Sequence, residues 1–131
     1  MSGPIPEKNA MDRVRFIPYG GKSILIEDFS NLDPGPEFYD LLRRVQETIA
    51  SQPEHSVLAV VDVSNSHFDM EVLNAFGKFV KANTPFIRCT TVVGVKGLVE
   101  VGLMTVSRLG GRSFKTFDTI QEAMDYLAGL G

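Results

Sequence analysis

The chain has one cysteine, two histidines and no tryptophan in 131 residues. A lone thiol, Cys89, cannot close an internal disulfide, and two histidines without cysteine partners or ligand spacing give no metal site. No cofactor is expected either. Basic runs are also missing: 13 Lys and Arg stand against 16 Asp and Glu, a net charge of -3. That balance excludes the broad positive surface of a nucleic-acid binder. No apolar stretch approaches the ~20 residues of a bilayer-spanning helix, so any membrane contact is expected to be peripheral. The opening residues MSGPIPEKNAMD lack the basic-then-apolar order of a secretion signal, and the cytoplasm is the expected compartment.

What is present suffices for one domain with one core, since 44% of the residues are hydrophobic. Residues 1 to 12, with Gly3, Pro4 and Pro6 and no periodicity, read as a flexible tail before a single domain over 13 to 131. Val14 to Pro18 and Lys22 to Asp28 are β-like runs around Tyr19-Gly20-Gly21, a hairpin signal, and Pro18 places the first run at an edge. Asp33-Pro34-Gly35-Pro36 opens a helix with Phe38, Leu41, Leu42, Val45 and Ile49 on one face. The continuous apolar run from Ser56 to Asp62 has the pattern of a strand covered on both faces.

Helix and strand then alternate. Helices are expected over about 69 to 82 and from Leu98 to Leu109, strands over Thr90 to Val95 and Ser113 to Phe117, and a last helix behind the capping box Thr119-Ile120-Gln121-Glu122. The result is an α/β fold: a mixed, mostly parallel sheet with an N-terminal antiparallel hairpin and about four helices.

Two stretches, Thr91-Val92-Val93-Gly94-Val95-Lys96-Gly97-Leu98 and Arg108 to Ala123, with this order of elements, resemble the SpoIIAA-like branch of the STAS fold over roughly residues 14 to 128. The resemblance implies the architecture, a likeness in topology to CRAL-TRIO lipid-exchange proteins, and binding of an apolar ligand or association with membrane. Anti-sigma-factor antagonists of this kind carry Asp-Ser-Ser-Gly at the start of the helix after the central strand. The matching positions here read Asp69-Met70-Glu71-Val72, so a regulatory phosphorylation there is not expected.

Asp62, Ser64, Asn65, Ser66, His67 and Asp69 fall at the carboxyl end of the central strand, the edge where open α/β sheets place ligands. As a catalytic relay, Ser66, His67 and Asp69 are too close in sequence; as a helix cap, Ser66 or Asp69 fits well. Lys96, beside Gly97 at a helix start, is a candidate anion contact, against the plainer reading of a tight glycine turn. In the helix after it, Leu98, Val101, Gly102, Thr105 and Leu109 form one expected core stripe. Val99, Leu103 and Val106 form a second, which predicts contact with something apolar.

The expected function is a non-catalytic binding or regulatory module for a lipid or other apolar or amphiphilic ligand, a membrane surface, a protein partner or a second copy of the chain as a homodimer. Its candidate ligand-binding residues are Asp62, Ser64, Ser66, His67, Lys96, Val99, Leu103 and Val106. The alternative is an interaction regulator of the antagonist type without the phosphorylatable serine. An enzyme using the cluster over 62 to 69 is the least favoured reading.

Overall fold

Gly20 and Gly21 take φ of 57 and 80, the left-handed conformations that a two-residue hairpin needs at both central positions. They join strand β1 (Val14–Tyr19) to strand β2 (Lys22–Asp28), antiparallel with Tyr19 opposite Lys22. The computed structural model describes residues 13–131, so the expected tail, 1 to 12, lies outside the described residues. Strands β3 (Val57–Asp62), β4 (Ile87–Val93) and β5 (Lys115–Phe117) add in parallel, giving the order β1-β2-β3-β4-β5. Pro18 thus sits on an edge strand, where its missing N–H costs nothing.

This simple order determines where the helices go. Parallel crossovers share one handedness, so helices that connect successive neighbours all land on the same face. Helices α1 (Pro36–Ala50), α2 (Met70–Asn83) and α3 (Leu98–Gly110) pack there against Leu25, Phe29, Ala59, Val61 and Val92. The opposite face, carrying Ile24, Ile26, Leu58, Val60 and Val93, is covered by Ala123 and Leu127 of helix α4 (Ile120–Ala128). Strict alternation along β2 sorts its side chains between the two layers. Lys22 fastens α4 to the hairpin by donating to the carbonyls of Ala128, at 2.8 Å, and Leu130. That is the favourable end of a helix for a cation.

The limits of β4 and β5 differ from expectation. β4 begins at Ile87 rather than Thr90 because the chain leaves α2 through a single 3-10 turn, Thr84–Phe86, whose Pro85 and Phe86 carbonyls accept from His55 and Ser56. It ends at Val93 rather than Val95, since Gly94 takes a φ of 85. β5 begins at Lys115, not Ser113.

The larger difference lies in α3, whose stripes are inverted. Val106 is buried, and Val99 and Leu103 are half-buried against the core, whereas Leu98 is 78% exposed and Val101, Met104 and Leu109 are also exposed. Glycine placement explains the inversion. A Cβ on Gly110 would come 2.5 Å from a Val80 methyl, and one on Gly77 of α2 would come 2.6 Å from the Leu109 Cβ, so the two helices meet along glycines. The buried face carries Gly110, which allows that approach, together with Val106 and Gly102; of the stripe expected in the core, Gly102 alone is fully buried. Among the described residues no helix is long and apolar enough to cross a membrane.

The glycine contact is testable. Gly110→Ala should lower unfolding free energy by about 1 to 3 kcal/mol through overpacking, despite alanine's preference for helix of roughly 1 kcal/mol. Chemical denaturation measures this, and an unchanged or raised midpoint would show that α2 and α3 separate at little cost.

Candidate functional site

The polar residues at the carboxyl edge of the sheet are largely engaged in turning the chain. The Asp62 carboxylate accepts from the Ser64 N–H at 3.0 Å and the Ser64 hydroxyl at 2.6 Å. Asp28 and Ser30, at the end of β2, form the same pair of bonds, and buried Arg13 donates to the Asp28 and Ser30 carbonyls at 3.0 and 2.8 Å. These are Asx turns, in which an aspartate holds the backbone two residues on. Ser66 donates to the Val63 carbonyl at 2.7 Å, and Asn65 takes the left-handed conformation between them. The Asp69 side chain caps α2 by accepting from the Val72 N–H at 2.8 Å, the role its position predicts.

His67 lies on the surface with its Nδ1 2.6 Å from Asp33, in a pair whose side chains are both more than three-quarters exposed. Such pairs contribute little. Lys96 is exposed, and Ser64 packs against Gly94, where no Cβ would fit because the Ser64 hydroxyl would lie 2.2 Å from it. Asp62 and Ser64 are bonded to each other, and neither they nor Lys96 line a cavity. Cys89 is half-buried, and burial pushes its thiol up, away from the reactive thiolate. Among the described residues no three His, Cys, Asp or Glu side chains gather to hold a metal ion.

Five of the eight expected binding residues do come together. Ser66, His67, Val99, Leu103 and Val106 line a cavity of about 90 Å³ between the sheet and the three-helix layer. Its walls also include an aromatic cluster. Phe29 meets Phe76 at 4.9 Å between ring centres, and Phe38 meets Phe76 at 5.2 Å. Tilted and edge-on arrangements are favourable for aromatic pairs. Gly102 allows Phe68 to enter, since a Cβ there would lie 3.0 Å from the Phe68 ring edge.

The lining also holds residues that the sequence reading did not select: Glu27, Thr90 and Arg112. Glu27 is only 2% exposed, and its Oε1 has no hydrogen-bond partner. Burial pushes its carboxyl up to about 8, with the charge of Arg112 opposing the rise. Burial pushes the Arg112 guanidinium down, and Glu27 partly offsets that. One signal for Glu27 was available: it falls between Leu25 and Phe29 at the inward alternation of β2. Arg112, in Gly-Gly-Arg-Ser, has the appearance of an ordinary turn residue.

Comparison of the chain with protein-family models, curated proteins and solved structures gives no match. The site is therefore interpreted from its own geometry.

Glu27 makes stability depend on pH in a definite direction. An ordinary glutamate ionises near 4.5, and this one near 8, so between those values the folded chain holds a proton that the unfolded chain has lost. Stability falls as pH rises through that window and levels off above it. Glu27→Gln should remove this component and become the more stable protein above about pH 5, with an advantage that grows to about pH 8. The shift sets an upper bound on the order of 5 kcal/mol. Denaturation midpoints of both proteins across pH 5 to 9 test it, and parallel curves would mean that Glu27 is ionised in the fold.

Proposed function

We propose that this protein is a non-catalytic binding module that encloses a small apolar or amphiphilic molecule between its sheet and its three-helix layer. The observation that supports this most directly is the cavity itself, with apolar walls and a rim at the 66 to 68 loop. Binding sites for small molecules are concave and mostly apolar, with a few placed polar groups. A role without turnover is supported by the polar loop, because Asp62 is committed to Ser64 and His67 pairs with Asp33 at the surface. The reading agrees with the apolar-ligand binding that a SpoIIAA-like resemblance implies. A cytoplasmic location, at most peripheral to membrane, belongs to the same proposal.

Butanol is a suitable probe, because it is neutral and small. Titrated into the protein, it should shift the NMR signals of Val99, Leu103, Val106 and Phe68. Leu103→Trp, which fills the space, should abolish those shifts while the protein still melts cooperatively. A parent protein whose cavity signals ignore butanol would sink the reading.

A second reading is favoured by the outer face of α3. Leu98, Val101 and Met104 are exposed there, more apolar side chain than a solvated helix face needs. This would suit an interaction regulator of the antagonist type, without the phosphorylatable serine, whose partner is a protein or a second copy. Met104→Asp should change stability by less than about 0.5 kcal/mol, as an exposed substitution does, and leave butanol binding intact. Sedimentation that shows association in the parent and none in this variant would favour the second reading over the first.

A further inference from the structure

The polar atoms that line the cavity share one kind of chemistry. Glu27 comes from β2, Thr90 from β4 and Arg112 from the segment between α3 and β5. Glu27 Oε1, Thr90 Oγ1 and Arg112 Nε are each buried, and none has a hydrogen-bond partner among the described residues. Buried polar groups are almost always paired, so three unpaired ones along a single cavity need an explanation. In register, Glu27 lies beside Val61 and, through it, Val92, with Thr90 two residues back on the same face of β4.

We propose that Glu27, Thr90 and Arg112 form a head-group subsite and that the ligand is a short-chain monocarboxylate, its chain lying among Phe29, Phe76 and Leu103. This inference rests on the binding-module reading. Arg112 can only donate, and the Thr90 hydroxyl is free to donate. Burial keeps Glu27 protonated at neutral pH, which makes its O–H a third donor and leaves the charge of Arg112 without a counterion in the cavity. The other titratable group in the lining is His67, which is exposed, and α1, α2 and α3 contribute no charged side chain to it. A carboxylate supplies the acceptors and the negative charge together. Apart from Ser66, His67 and Asn83 the remaining walls are apolar, which suits one carboxylate and a hydrocarbon chain. The volume of about 90 Å³, smaller than the ~150 Å³ that encloses benzene, keeps that chain short.

The test compares butanoate with butanol on the full chain by NMR titration, with melting curves as the control for folding. At neutral pH butanoate should bind about tenfold more tightly, the effect expected of a charge-assisted pair at a half-buried arginine. Arg112→Gln should bring butanoate down to the level of butanol and leave butanol unchanged, and Thr90→Val should weaken butanoate less. Butanoate affinity should also fall as pH rises past about 8, where Glu27 becomes an anion beside the ligand. Glu27→Gln keeps a neutral donor and should abolish that fall.

Equal binding of the two probes, with Arg112→Gln silent, would overturn the head-group subsite while leaving the cavity reading in place. Failure of both probes to bind would overturn both. Should Arg112→Gln not fold, the pH series decides, and an identical fall in Glu27→Gln and the parent would overturn the proposal.

Discussion

The constraint on which the rest of this structure depends is the shared handedness of its crossovers. With the strands in sequence order, α1, α2 and α3 have no choice of face and must crowd onto one side of a five-stranded sheet. α4 follows the last strand, is free of that requirement and covers the other side alone. Crowding explains why α2 and α3 meet along Gly77 and Gly110, where side chains would collide. It also explains where space remains: glycines draw the helices together, and tilted rings of Phe29, Phe38 and Phe76 lie beneath them without closing the volume.

The same topology accounts for the polar loop after β3. Strands β2 and β3 both end in Asp-x-Ser, and at both ends the aspartate holds the serine N–H and hydroxyl. Chain direction must change sharply at these points, and an Asx turn supplies the hydrogen bonds that the strand no longer gives. A dense run of polar residues at a strand end thus reflects backbone accounting before it reflects chemistry. Asp62 is the residue in which the two explanations compete most directly, and both of its local bonds fall on Oδ1.

Much of the fold was legible because its signals are local. The two glycines of the hairpin, the inward face of α1 and the caps Asp69 and Thr119 each depend on neighbours a few residues away. The faces of α3 were not legible from hydrophobicity, because Leu98, Val101 and Met104 on its outside are as apolar as Val99, Leu103 and Val106 on its inside. The glycines at 102 and 110 carried that information, and they read correctly only once α2 is known to approach. The early start of β4 likewise depends on His55 and Ser56 pinning the 3-10 turn from a distant loop. The site was half legible: Ser66, His67, Val99, Leu103 and Val106 meet at the cavity, but Arg112 gives no local sign of pointing inward.

Two costly features coincide in this molecule. Unfilled volume forfeits dispersion contacts, and an unpaired buried polar atom forfeits its hydration. Either can occur alone as a packing fault, and the remedy is simple: a leucine at position 27 would match Leu25 and Phe29 and remove an acid from the centre of the sheet. Here the cavity and the orphaned atoms of Glu27, Thr90 and Arg112 occupy the same place, although they arrive from three separate segments. Both costs diminish when one molecule with an apolar body and an acceptor end occupies the site, because it restores the missing contacts and the missing hydrogen bonds together. A random defect has no reason to need two kinds of repair that a single ligand supplies, and on that ground the coincidence supports the proposed binding site over a flaw in the core.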